Sequence, residues 1–334
     1  FVGTVAGLTQ VGAQVVLLPP ELAPDRLAAV VARERLTAIV HDGEFETQVA
    51  AVGWPELAAA GRATGTPARR PRRPGTLAVL SSGTGEVPRS ATPAVPLPTL
   101  LRAAATHQRL VPLRPGEPLV LAVPACHGYG LVYLAAGLAL GVPVVLAEGY
   151  SAEQILAAVA EQGAGVLVAL PVQLRRIADL PAQVRDGYRL SGLRAVLTGC
   201  DPLPPELSGR LGEVFGDKVF NLYGSTEAGW ATIATPADLR DAPGTVGRAP
   251  HGVRVQVLDG GGSPVPPGRT GIVHVTGWRR GAAVSTGDLG HFDLAGRLHL
   301  DGRLADTVPA QPSGVDRPGF GAGGPDDQAG IRPA

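Results

Sequence analysis

At 334 residues the chain is long enough to bury a large core and to divide into two domains or subdomains. Its 45% hydrophobic and 17% charged residues describe a globular protein. With 29 basic against 29 acidic residues the formal net charge is zero, so composition gives no electrostatic ground for nucleic acid or an anionic membrane as partner. Two cysteines, Cys126 and Cys200, cannot build a disulfide framework and favour a reducing compartment, the cytoplasm. The longest apolar stretch, residues 131–146, is broken by glycines and a proline and reads as a buried helix and strand, not a transmembrane segment. There is no methionine, and the chain opens inside a helical pattern at residues 1–11 with no signal-peptide charges before it, so a piece of a longer gene product is expected.

Along the chain, residues 15–18 read as a buried strand, 25–36 as a helix and 37–40 as a second strand, the alternation of parallel βαβ units. Residues 61–75, rich in Arg, Pro, Gly and Thr, read as a linker-like loop; its Arg69, Arg70, Arg72 and Arg73 are either an anion patch or solvated linker charge. Strands are then predicted over 77–80, 119–123, 143–146, 166–170, 195–197 and 219–223. Helices are predicted over 152–161, 172–177 and 204–214. From Gly252 the pattern becomes short strands with turns, at 253–258, 271–275, 291–292 and 297–300. The expected organisation is an α/β core at 1–248, a β-rich subdomain at 249–308 and a Pro/Gly-rich disordered tail at 309–334.

Several predicted strands end in chemistry. Asn221-Leu222-Tyr223-Gly224-Ser225-Thr226-Glu227 follows the apolar run 218–220, and ligands of open α/β sheets bind outside the carboxyl ends of strands. Tyr223 offers a face for stacking a base, Gly224 allows close backbone approach, and Ser225 and Thr226 offer hydroxyls to phosphate. Glu227 can hold magnesium, which prefers oxygen ligands. Ser81 to Arg89, after the strand at 77–80, has the small hydroxyls and glycines that let backbone N–H groups wrap an anion, with Arg89 adding charge; it lacks the Gly-Lys-Ser/Thr ending of a Walker loop. Cys126-His127-Gly128-Tyr129-Gly130 and Gly199-Cys200-Asp201 follow two further strands. Ser285 to Gly290 places Asp288 in a turn, and Arg303 follows the turn Asp301-Gly302; an Asp and an Arg together can hold a ribose. Read one at a time, each segment is also an ordinary polar turn, and a lone His127 is also a packing or capping residue.

In this order the segments resemble the AMP-forming acyl-CoA synthetases, members of the adenylate-forming ligases that also include nonribosomal adenylation domains and luciferases. The family's phosphate loop, Thr-Ser-Gly-Thr-Thr-Gly-x-Pro-Lys-Gly, is similar to Ser81 to Ser90. Its Tyr-Gly-x-Thr-Glu is similar to Tyr223 to Glu227, its Thr-Gly-Asp to Thr286 to Asp288, and its Gly-Arg after a short hairpin to Gly302-Arg303. Gly244 to Arg248 and Gly290 to Asp293 look like the fatty-acyl branch. The resemblance covers about residues 1–308, with the family's ends missing on both sides.

The resemblance implies that Ser82, Gly83, Thr84 and Arg89 hold the triphosphate of ATP. Gly199, Cys200 and Asp201 would line the adenine, with Tyr223 and Gly224 against it. Thr226 would contact the α-phosphate, Glu227 the Mg2+, and Asp288 and Arg303 the ribose, while His127 would sit where the acyl tunnel meets the carboxylate. It implies activation of a small-molecule carboxylic acid, a fatty acid in the first instance, to acyl-AMP and then to acyl-CoA with coenzyme A as co-substrate. An aryl-acid or carrier-protein-directed ligase and a non-catalytic nucleotide-binding remnant are the alternatives. Gly85-Glu86 stands where the family has Thr-Gly and sets a carboxylate beside the triphosphate. Arg89 replaces a lysine and changes the donor geometry. The family's mobile C-terminal domain carries a lysine that assists adenylation. Here Lys218 is the only lysine, so slow adenylation by this polypeptide is expected.

Overall fold

The computed structural model describes residues 1–19, 22–41, 51–53, 75–80, 90–91, 97–225, 228–278 and 283–304. The chain opens with α1 (Val2–Gln10), β1 (Gln14–Leu17) and α2 (Pro24–Glu34). In α2, Pro24 occupies the first turn, where no N–H is needed, and Leu27 and Val30 turn one face inward. The short strands β2 (Ile39–His41) and β3 (Ala51–Gly53) pair with each other in parallel. Strand β1 runs parallel to β4 (Thr76–Leu80), which also pairs antiparallel with β5 (Ser90–Ala91).

The central layer follows. It comprises α3 (Leu97–Leu110), β6 (Leu119–Leu121), α4 (Gly128–Leu140), β7 (Val144–Leu146), α5 (Ala152–Glu161), β8 (Val166–Val168), α6 (Pro171–Ala178), α7 (Ala182–Arg185), β9 (Ala195–Gly199), α8 (Pro205–Phe215) and β10 (Val219–Ser225). Strand β11 (Gly229–Ala234) and helix α9 (Pro236–Asp241) complete it. The six strands lie in the order β11-β10-β9-β8-β6-β7, parallel except for the β10–β11 pair.

Side chains alternate across this sheet. Val120, Leu167 and Val196 meet α5, α6 and α8 on one face. Leu121, Val168 and Leu197 meet Tyr133 and Leu134 of α4 on the other. Burial on both faces explains why the central strands are unbroken Val/Leu runs. Ser151 and Gln154 cap α5 reciprocally, with hydrogen bonds of 3.2 and 2.8 Å. Gln173 fixes α6 to the end of β6 by donating to the Ala122 carbonyl at 2.8 Å.

A second sheet is antiparallel and ordered β12-β16-β15-β14-β13, from β12 (Thr245–Gly247), β13 (Arg254–Leu258), β14 (Gly271–Thr276), β15 (Val284–Phe292) and β16 (Leu298–Arg303). Strand β12 joins this sheet from before residue 249, where the β-rich subdomain was expected to begin. Ser285 to Gly290 was expected as a turn and Arg303 just beyond one. Both lie within strands instead, Asp288 in β15 directly opposite Arg303 in β16, although Gly287 is left-handed at φ 76° and the Gly287 and Asp288 N–H groups donate to the Ser285 and Thr286 hydroxyls, a local bend inside the strand. The expected burial of residues 131–146 is also corrected in part. Val132 and Leu138 on α4 and Leu146 on β7 are exposed. Among the described residues no helix is long and apolar enough to cross a membrane.

Candidate nucleotide site

Strand β10 belongs to the parallel sheet, yet Tyr223 near its end packs among Val246, Val253, Val257 and Val273 of the second sheet. Its hydroxyl donates to Asp288 Oδ2 at 2.6 Å, and Arg303 Nε lies 3.3 Å from Asp288 Oδ1. The Asp288 backbone N–H also donates to Thr286 Oγ1 at 3.2 Å, which fixes the strand beneath the carboxylate. Burial, and then the hydrogen bond to Asp288, raise the Tyr223 pKa above its ordinary value, so the phenol remains a neutral donor. Tyr223 is only 9% exposed, which leaves little ring face for stacking while this hydrogen bond is formed.

Leu222, beside Tyr223, is in register with Gly199 at the end of β9. A Cβ at Gly199 would stand 2.5 Å from the Leu222 carbonyl oxygen, and one at Gly224 would stand 2.3 Å from the Gly229 carbonyl oxygen. The residues that demand these glycines are therefore neighbouring strands of the chain itself. Cys200 adopts the left-handed conformation, with φ 70°, as the backbone leaves β9. Although Cys200 is exposed as a residue, desolvation of its thiol and the adjacent Asp201 carboxylate push it up to about 11, so it stays protonated at neutral pH.

The structure thus brings together Tyr223, Asp288 and Arg303, and sets Gly199, Cys200 and Asp201 at the adjoining strand end. His127 is the N-cap of α4 without a side-chain cap bond. No hydrogen bond or ion pair among the described residues ties it to the other expected site residues. Ser82, Gly83, Thr84, Arg89, Thr226 and Glu227 lie outside the described residues. Ser225 accepts from the Ala228 N–H at 3.0 Å, which leaves its own O–H available to donate.

One group of residues was not anticipated. His107, Tyr129, Tyr133 and Trp230 form an aromatic chain on the α4 side of the sheet. His107 Nε2 and the Tyr133 hydroxyl are 2.9 Å apart, and burial lowers the His107 pKa to about 4. The signal lay in helical spacing: buried Ala103 and Val111 flank His107 at i−4 and i+4, and Tyr129 and Tyr133 are four apart on one face of α4.

The chain is similar in sequence and in fold to known proteins. The chain is 32% identical over 191 residues to an indoleacetate–CoA ligase of Aromatoleum aromaticum, covering 51% of this chain and 36% of that protein. The fold matches an amide bond synthetase of Marinactinospora thermotolerans with a TM-score of 0.71 at 25% identity, over 89% of this chain and 66% of that one. An o-succinylbenzoate coenzyme A synthetase of Bacillus subtilis, solved with ATP and a magnesium ion, shares the fold with a TM-score of 0.78 at 19% identity, over 92% and 67% of the two chains. The chain spans less than half the length of the curated relatives it matches. The model of the AMP-binding enzyme family matches residues 96–281, which carry the six-stranded sheet and Tyr223. Because that match takes in more than half of the sequence, this chain belongs to the AMP-binding enzyme family.

Proposed function

We propose that the chain binds ATP and activates a carboxylic acid as an acyl adenylate, in the manner of an acid–thiol ligase with coenzyme A as the accepting thiol. The observation that carries this reading is the Asp288 carboxylate, 8% exposed and engaged on one oxygen by Tyr223 and on the other by Arg303. A carboxylate offers about four lone-pair sites, so two remain for the adjacent hydroxyls of a ribose. In the first step a carboxylate oxygen of the acid bonds to the α-phosphorus while the bond to pyrophosphate breaks. In the second, the thiol sulfur bonds to the acyl carbon and AMP leaves. The chain's task is to hold the nucleoside and to place cationic and N–H groups where charge develops. Magnesium, when bound, supplies charge neutralisation at the phosphates. Its expected ligand, Glu227, lies outside the described residues.

The finer reading from sequence is a fatty acid as substrate. An aryl acid is the second reading, favoured by the aromatic chain His107–Tyr133–Tyr129 and by a relative that is an indoleacetate–CoA ligase. Calorimetric titration with ATP tests the nucleotide site: Asp288→Ala is expected to weaken binding at least about tenfold, the loss of one charge-assisted hydrogen bond. Equal affinity of wild type and variant refutes the role of Asp288. Pyrophosphate–ATP exchange with a panel of acids separates an adenylating enzyme from a protein that binds ATP without turning it over.

A further inference from the structure

Tyr223, Asp288 and Arg303 meet on the core face of the second sheet, and the plain alternation of β16 would not bring Arg303 there. Leu298 and Leu300 both pack on the core that contains Tyr223, so an unbroken strand would turn residue 302 inward and Arg303 outward. An extra residue reverses this. Gly290 is in register with Leu300 and Leu289 with Gly302, which leaves Asp301 unpaired on β16 as a β-bulge. Gly302 completes the bulge at φ 143°, a backbone value that side chains rarely adopt. Beyond it Arg303 stands opposite Asp288, with Nε 3.3 Å from Oδ1. A shift of one residue moves a side chain to the other face of a sheet, so the direction of Arg303 depends on this bulge.

The bulged residue is held from two directions. Thr270, one residue before β14, donates its hydroxyl to Asp301 Oδ2 at 2.6 Å. His291 on β15 places Nδ1 3.0 Å from both carboxylate oxygens. A carboxylate only accepts, so Nδ1 carries the proton. The His291 ring is stacked on His299 of β16, with centroids 5.2 Å apart and planes 9° from parallel, which fixes its orientation. Loss of solvation raises the Asp301 carboxyl, but the Thr270 and His291 bonds outweigh it and hold the group below its ordinary value. The clamp lies outside the core: the Asp301 and His291 side chains are 27% and 29% exposed. Its removal therefore disturbs the position of the bulge more than the packing beneath it.

We propose that Asp301 is a positioning residue for the nucleotide site. Clamped by Thr270 and His291, it holds the bulge that turns Arg303 toward Asp288, and so sets the affinity for the ribose. This rests on the reading of Asp288 and Arg303 as the ribose holders and extends it to a clamp on the other face of the sheet. Without the clamp Arg303 exchanges between the two faces, and Asp288 is left for part of the time with Tyr223 alone.

The test measures dissociation constants by calorimetry for the full chain with ATP and with 2′,3′-dideoxy-ATP. Wild type is expected to bind ATP the more tightly of the two, and Arg303→Ala to bind ATP about fivefold more weakly than wild type. Asp301→Ala, which frees the bulge, is expected to weaken ATP binding about threefold. On the Arg303→Ala background the same change is expected to add nothing, because Asp301 acts through Arg303. Asp301→Asn keeps an acceptor for both donors and is expected to retain most of the affinity. Dideoxy-ATP is expected to bind wild type and Asp301→Ala alike. A merely structural Asp301 would lower the melting temperature and leave the ATP affinity of the folded protein unchanged. That result, a full further loss on the Arg303→Ala background, or equal losses for the two nucleotides overturns the proposal and leaves the ribose reading standing. Thr270→Val removes one donor and keeps the carboxylate, and serves if Asp301→Ala does not fold. It is expected to give a smaller loss for ATP alone, and unchanged affinity overturns the proposal. Equal affinity of wild type for the two nucleotides removes the ribose reading and the proposal with it.

Discussion

Replacing Tyr223 by Phe removes one oxygen from the interior and leaves the ring. The hydroxyl donates at 2.6 Å to a carboxylate whose side chain is 11% exposed, so solvent screens the interaction little. A hydrogen bond to a charged group of this kind contributes about 1.5–3 kcal/mol. Arg303, with 55% of its side chain exposed, adds no more than about 1 kcal/mol to the same carboxylate. Tyr223→Phe is therefore expected to destabilise the chain by about 2 kcal/mol. Asp288→Ala is expected to cost at least as much, because it strands the Tyr223 hydroxyl without a partner. The double variant should lose less than the sum, with a coupling of about 1.5–3 kcal/mol. Urea unfolding followed by tryptophan fluorescence suits the measurement: Trp278 donates to the Trp230 carbonyl at 2.6 Å, and Trp230 lies opposite Gly224. The sign of the pH effect follows from the raised tyrosine pKa. Stability from the neutral phenol is fully present below the unfolded value near 10 and is lost only as pH rises through the higher folded value, so the coupling should be constant from pH 7 to 10. A coupling below about 0.5 kcal/mol, the limit of ordinary additivity, refutes the claim that Tyr223 and Asp288 act as a pair.

Three further outcomes are expected. Gly199→Ala places a Cβ 2.5 Å from backbone rather than from a yielding side chain, so it should destabilise by about 1–3 kcal/mol in denaturant unfolding; a neutral result refutes the close approach of β9 and β10. His107, lowered to about 4 by burial, should make stability fall as pH drops from about 6.5 toward 4, by at most about 3 kcal/mol, and His107→Gln should flatten that slope. Asp293 loses some solvation, but the backbone and side chain of Arg297 hold its pKa down to about 2; its contribution is complete above the ordinary carboxylate range and fades as pH falls through about 2, so Asp293→Asn should advance acid unfolding to higher pH, and an unchanged acid midpoint refutes the turn contact.

The parallel sheet was legible because burial on both faces writes itself as continuous apolar runs, as at Val166–Val168, and helix α5 spans the expected residues 152–161, its start capped by Ser151 and Gln154. Strand β12 and the long β15 were not legible. Thr245–Gly247 is too short to show a period, and Ser285 to Gly290 carries turn residues that are held in a strand by pairing with both β14 and β16. At the site, Tyr223, Asp288 and Arg303 were all named from sequence, but their mutual bonds were not, because pairing across 65 residues is a property of the packed sheets. The two glycines were read as room for a ligand; spacing cannot show that the carbonyls of Leu222 and Gly229 also approach them closely.

Tyr223 grows from one sheet and is anchored in the other, and the backbone around it is sewn the same way: Thr232 on β11 donates to Val246 on β12, and Ile233 bridges to Arg248. The two sheets therefore share a seam, and local opening of one exposes the edge of the other. Amide exchange should report a single protected block that includes the ends of β10 and β15, with matched opening free energies despite the 65 residues between Tyr223 and Asp288. A nucleoside seated across that seam would slow exchange on both strands by the same factor, so its arrival would be felt as a stiffening of the whole junction.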